Sequence, residues 1–165
     1  MAKRATKQKS PKWMGEAGRL TKKEIKAFLA GPIVARIATV KPDGSPYVVP
    51  VWQYYDGKAI YIIPRMRSVF VQHIKAEPRI CISCALDNAP STRVILEGKA
   101  KIVEGPTIMK GRTLRIARQM AKRYLGERGP EYLEPTRDRP RYLIRMEPEK
   151  VTSWKGVEWA PKYLK

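Results

Sequence analysis

The sequence predicts a mainly β protein with helices (α+β), roughly six antiparallel strands closing into a small barrel. Three observations carry this expectation. Short runs rich in Val, Ile and Tyr recur between compact turn signals, notably Pro42-Asp43-Gly44 and Asp56-Gly57. Only a few stretches show the spacing of an amphipathic helix. A length of 165 residues with 43% hydrophobic content supplies one core, and closing the sheet removes the exposed edges of a small open one.

Thr21 to Leu29 reads as a short helix. Thr21 and Glu24 form a capping box, Ile25, Phe28 and Leu29 give an apolar stripe, and Gly31-Pro32 ends it. Val34 to Val40 follows as a strand. The turn Lys41 to Ser45 leads into a second strand, Tyr47 to Tyr54, in which Pro50 marks an edge or a break because it has no N–H to give to a ladder. A turn over 55–58 returns the chain as Ala59 to Ile63, stopped by Pro64, so these three strands are expected to form an antiparallel meander.

From Ser68, expected as an N-cap, Val69, Phe70, Val71 and Ile74 fit a helix that ends before Pro78. Arg79 to Leu86 and Arg93 to Val103 are two further strands, joined by a loop over 87–92. A longer helix over Thr107 to Leu125 carries Leu114, Ala117, Ala121, Tyr124 and Leu125 on one side and Arg112, Arg115, Arg118, Lys122 and Arg123 on the other. The last strand is Arg141 to Met146, resuming over Val151 to Trp154. These elements delimit a basic, flexible arm over 1–19, a barrel domain over 20–154 and a C-terminal tail over 155–165.

The formal charge of +19 draws polyanions, whether nucleic acid, acidic membrane surfaces or phosphorylated small molecules. Lys3, Arg4, Lys7, Lys9 and Lys12 crowd an arm with no acidic residue, so nucleic-acid binding is expected to be weak and non-specific. The apolar runs are far shorter than the ~20 residues of a membrane-spanning helix, and no apolar segment follows the basic N-terminus. A cytoplasmic protein without membrane attachment is expected.

Cys81 and Cys84 have the spacing of a redox or zinc motif, but a separation of three on a strand points the thiols to opposite faces. The single histidine, His73, leaves little scope for a nucleophilic relay. No metal ligand or catalytic residue is assigned. Trp52, Tyr54, Trp154 and Trp159 can form core or an aromatic wall for a planar substrate. Arg65, Arg67 and Ser68 stand where a strand gives way to a helix, a place suited to hold phosphate through guanidinium forks and free N–H groups. A phosphorylated cofactor is the expected ligand.

The segments ARIATVKPDGSPYVVPVW, AIYIIPRMRSVFVQHIKAEPRICI and RVILEGKAKIVEG, in this order and spacing, resemble the pyridoxamine 5'-phosphate oxidase-like family of flavin and deazaflavin oxidoreductases. The resemblance implies the FMN-binding split barrel, a homodimer with cofactor sites at its interface, and hydride transfer between FMN, or alternatively a deazaflavin coenzyme, and a small conjugated substrate. It further implies that Val49, Pro50, Val51 and Trp52 lie along the ring system. Ile63, Pro64, Arg65, Arg67 and Ser68 would receive the phosphate, and Arg93 would stand near the ring. The tail around Trp154, Gly156 and Trp159 would cover a partner's substrate side.

The chain departs from the family's pattern at Val69 and Phe70, where members carry Arg-Lys. Arg65 and Arg67 are expected to take over from the loop side, and Phe70→Lys is expected to leave binding unchanged or tighten it. A nucleic-acid-binding protein and a non-catalytic cofactor-binding stress or carrier protein are the competing readings.

Overall fold

A computed structural model describes residues 18–86, 88 and 91–156. The N-terminal arm up to residue 17, Trp159 and the tail beyond residue 156 lie outside these residues. The chain forms helix α1 (Lys22–Ala30), strands β1 (Ala35–Val40), β2 (Pro46–Val51), β3 (Tyr54–Tyr55) and β4 (Ile60–Ile62), then helix α2 (Phe70–Ala76). Strands β5 (Arg79–Leu86) and β6 (Thr92–Thr107), helix α3 (Gly111–Leu125), a 3-10 segment (Gly129–Thr136) and strands β7 (Arg141–Met146) and β8 (Lys150–Lys155) complete it.

The strands pair antiparallel in the order β2-β1-β5-β6-β7-β4-β3, with β8 also on β6. Strand β6 is the spine. Its first half pairs with β5 and β8, its second half with β7, and register shifts after Ile102 and Glu104 bend it between the two. Period-two alternation then sends one face inward: Ile37, Ile82 and Leu96 stand in one row across β1, β5 and β6, all buried. Each such side chain contributes about 1.5–3 kcal/mol when removed from water. Leu29 of α1 and Phe70, Val71 and Ile74 of α2 pack against the same core. This is the split barrel expected from the sequence.

Several local expectations are corrected. The three early strands do not form a meander, because β2 pairs only with β1 while β3 and β4 pair with each other and β4 with β7. The chain leaves one sheet region at Trp52 and enters another. Pro50 accordingly sits on an edge strand, opposite Arg36. Ser68 is not an N-cap: α2 begins at Phe70 after a run of tight turns, and no side chain caps it. With seven residues and early N–H groups spent in those turns, α2 offers no helix-start anion site. Helix α3 starts at Gly111, and its buried side is Thr113, Ile116, Ala117, Met120 and Ala121, whereas Leu125 is exposed.

The capping box of α1 is present, with Thr21 N–H donating to Glu24 Oε2 at 2.7 Å. Lys155 and then Thr21 hold the Glu24 carboxyl down at about 2, and Arg79, through side chain and N–H, holds Glu77 at about 2. Depressed carboxylates contribute stability that is complete above their unfolded value near 4.5 and is lost as pH falls through about 2. Urea midpoints should therefore be level at neutral pH and decline below about pH 4.5. Glu24→Gln with Glu77→Gln should make that decline shallower; an unchanged slope would assign it to other carboxylates.

Candidate functional site

The break between β2 and β3 is fastened from three sides. Gln53 is fully buried, and its Nε2 donates to the Leu29 carbonyl at the end of α1 at 2.9 Å. Its backbone N–H donates to the Tyr124 hydroxyl at 3.2 Å, and that hydroxyl donates to the Ile33 carbonyl at 2.7 Å. Arg123 donates to the carbonyls of Leu29 and Gln53, both at 3.3 Å. Such a clamp holds neighbouring Trp52 in place, its indole stacked parallel on the Tyr124 ring with centroids 4.9 Å apart. Tyr132 of the 3-10 segment is tilted against Trp52 as well, with ring centroids 5.7 Å apart.

Beside Trp52 opens a cleft of about 390 Å³. The β2 edge, Val49 to Trp52, forms one wall, and the end of β4 with the following loop, Ile62 to Arg65, forms another. Met109, Met120 and Leu133 bring α3 and the 3-10 segment over it. These walls are apolar, and cations stand at one end.

Arg65 and Arg141 face each other there across an antiparallel bridge. Like charges directly opposite repel. Neither has an ion pair among the described residues. Arg141 is half-buried: its Nη2 donates to Thr136 Oγ1 at 2.9 Å, while its Nε is buried with no acceptor. Burial first, and then the charge of Arg65, lowers Arg141 from the usual guanidinium range, yet a guanidinium stays charged in proteins. A buried, charged and unsatisfied donor costs free energy until an acceptor arrives. An apolar cleft lined at its polar part by this half-buried guanidinium and the exposed one of Arg65 suits a planar ligand with an anionic group, and a phosphorylated flavin meets that description.

Of the residues expected from the sequence, Val49, Pro50, Val51, Trp52, Ile63, Pro64, Arg65 and Ser68 line this cleft together. Arg67 lines an adjoining cavity instead. Arg93 is on β6 with its guanidinium 5.7 Å from the Trp154 ring, away from the cleft of its own chain. Phe70 is 5% exposed, packed in the core at the floor of the cleft, which it also lines, whereas Val69 is 55% exposed. Phe70→Lys would bury an ammonium in that core, so it is now expected to destabilise the fold rather than tighten binding. Arg141, Tyr132, Met109, Met120 and Leu133 were missed. No spacing signal ties Arg141 to Arg65, because only the strand pairing brings them together.

Other candidate groups are accounted for by structure. His73 is buried, with Nδ1 3.0 Å from Thr39 Oγ1 and its ring edge-on to Tyr47. Cys84 faces the core, where burial pushes its thiol up to about 12, while Cys81 is half-buried on the opposite face. Among the described residues no His, Cys, Asp and Glu group could hold a metal ion, and no helix is long and apolar enough to cross a membrane. On the basic side of α3, Arg112 donates to the Tyr61 hydroxyl, Arg118 and Lys122 pair with Glu134 and Glu127, and Arg123 belongs to the clamp.

The family model for pyridoxamine 5'-phosphate oxidase matches residues 21–155. No curated protein matches the chain. Among solved structures, an F420 reductase is 25% identical with a TM-score of 0.62, covering 77% of this chain and 94% of its own. A FAD-binding protein from Mesorhizobium loti is 22% identical with a TM-score of 0.62, covering 86% and 98%. A heme storage protein from Vibrio cholerae, 21% identical with a TM-score of 0.63 over 83% and 96%, shares the fold as well. With a family match running from the start of α1 to the end of β8 on this split-barrel topology, the chain belongs to the pyridoxamine 5'-phosphate oxidase family.

Proposed function

We propose that the cleft holds a phosphorylated flavin or deazaflavin, FMN being the simplest that fits, and that the protein is a cytoplasmic oxidoreductase acting on a small conjugated molecule. The observation that carries this reading is the Arg65–Arg141 pair, with its unpaired buried Nε, at the end of an apolar cleft. Arg65, Arg141 and Ser68 hold the phosphate in this reading, and Val49, Pro50, Val51, Trp52 and Ile63 enclose the ring. A bound flavin or deazaflavin supplies hydride transfer. No Asp, Glu, His or Cys lines the cleft among the described residues, so the protein's part is binding, orientation and exclusion of water.

A second copy of the chain completes the site. The outer face of β1, β2, β5 and β6 carries Val48, Ala38, Cys81 and Ile95, and Val48 is 60% exposed. Arg93 is on this sheet too, so pairing the face with a copy gives it a route to the partner's cleft. FMN and the deazaflavin coenzyme titrated into the full chain should each be followed by fluorescence, with sedimentation run in parallel. Binding at about micromolar affinity or tighter by a dimer is expected. If neither ligand binds, the cofactor reading fails; a folded monomer at micromolar concentration removes the second copy.

A further inference from the structure

Most of the basic side of α3 is engaged within the fold, Arg112 on Tyr61, Arg118 and Lys122 on carboxylates and Arg123 in the clamp. The densest positive charge lies at the start of the chain instead. Nine lysines and arginines precede Ala27, against two carboxylates, Glu16 and Glu24. Glu24 is already taken up by the Thr21 cap and by Lys155.

Four of these cations, Arg19, Lys22, Lys23 and Lys26, are exposed on α1 and on the residues leading into it. Gly18 is fastened to the end of β8: its N–H donates to the Lys155 carbonyl at 3.0 Å, and its carbonyl accepts from the Lys155 N–H at 2.8 Å. The arm with Lys3, Arg4, Lys7, Lys9 and Lys12 is therefore tethered beside the other four. The helix itself does not favour this placement. Lys22 and Lys23 stand in its first turn and Lys26 in its second, where positive charge opposes the macrodipole, while the last turn, where it would help, has none. A charge order that works against the helix points to a role outside it.

Ile25, Phe28 and Leu29 of α1 pack on the core, and none of the exposed large apolar residues among those described belongs to this helix. A helix that docks on a membrane interleaves apolar side chains with its cations. A phosphate backbone thus fits this surface better than a layer of lipid headgroups. None of the four cations lines the cleft.

We propose that Arg19, Lys22, Lys23 and Lys26, together with the arm, form a docking surface for the sugar-phosphate backbone of a nucleic acid, separate from the cofactor cleft. Binding is independent of sequence, because phosphate contacts carry charge without reading bases. It is also steeply salt-dependent, because each phosphate neutralised releases counterions.

The test is fluorescence anisotropy of a labelled mixed-sequence DNA duplex of about 20 base pairs, titrated with the full chain across a range of salt concentrations. Wild type is compared with two charge-matched triple variants. One carries Lys22→Gln, Lys23→Gln and Lys26→Gln. The other carries Lys101→Gln, Lys110→Gln and Arg115→Gln, exposed cations on β6, at the start of α3 and on α3 itself. The α1 variant should bind about 10-fold or more weakly at low salt, with a slope of log affinity against log salt shallower by about 3. The control variant should lose less than about threefold. Since its lysines oppose the dipole, the α1 variant should melt at or above the wild-type temperature, which separates lost binding from unfolding. Equal losses in the two variants overturn the proposal, because the general field of a chain with a charge of +19 then accounts for binding. Undiminished affinity in the α1 variant, or no binding of the duplex by wild type, also overturns it. Tighter binding of wild type to vesicles of phosphatidylserine in phosphatidylcholine than to the duplex overturns it in favour of a lipid surface.

Discussion

Gly129→Ala is expected to destabilise the protein by about 3 kcal/mol, lowering its melting temperature by roughly 5–10 °C. A Cβ at this position would lie 2.0 Å from the Ala121 carbonyl oxygen, 2.4 Å from its carbon and 2.9 Å from the Lys122 nitrogen. All three are backbone atoms of α3, so no side chain can turn aside, and the 3-10 segment must lift from the helix. That segment carries Tyr132 and Leu133, which line the cleft, so cofactor affinity should fall together with stability. A thermal scan with and without FMN reads both. An unchanged melting temperature would mean that the segment re-seats freely and that its close packing on α3 does not shape the cleft.

The sequence made the sheet legible and the site only half so. Strand β5 falls on Arg79–Leu86 as expected because its apolar alternation is uninterrupted, and α1 is where the Thr21–Glu24 box and Gly31-Pro32 put it. The meander failed for a physical reason: turn residues report that the chain reverses, not which strand it pairs with afterwards. Trp52 and Gln53 sit at that switch, and their role depends on Tyr124 and Arg123, some 70 residues away in sequence. Eight of the ten site residues inferred through the family resemblance line one cleft, since they belong to two continuous segments. Arg141 escaped because its meaning lies in what is opposite to it. A basic residue at the start of a strand is unremarkable until Arg65 is found across the ladder with no carboxylate between.

Arg141 should therefore behave as a residue whose removal helps the empty protein and harms the loaded one. Arg141→Met keeps the length and apolar stem of the side chain but removes a half-buried charge, its unsatisfied Nε and its repulsion with Arg65. The ligand-free variant should melt at or above the wild-type temperature, the loss of the Thr136 hydrogen bond being the smaller effect. FMN affinity should drop roughly 10- to 100-fold, the equivalent of about 1.5–3 kcal/mol for a charged hydrogen bond. Because a ligand stabilises in proportion to the logarithm of its concentration over its dissociation constant, the FMN-induced rise in melting temperature should shrink accordingly. Arg65→Ala should show a comparable loss of affinity, and Arg141→Lys an intermediate one, since an ammonium supplies charge without the fork. The opposite pattern, a lower melting temperature for ligand-free Arg141→Met with an undiminished FMN shift, would make Arg141 a structural strut for Thr136 and move the phosphate elsewhere.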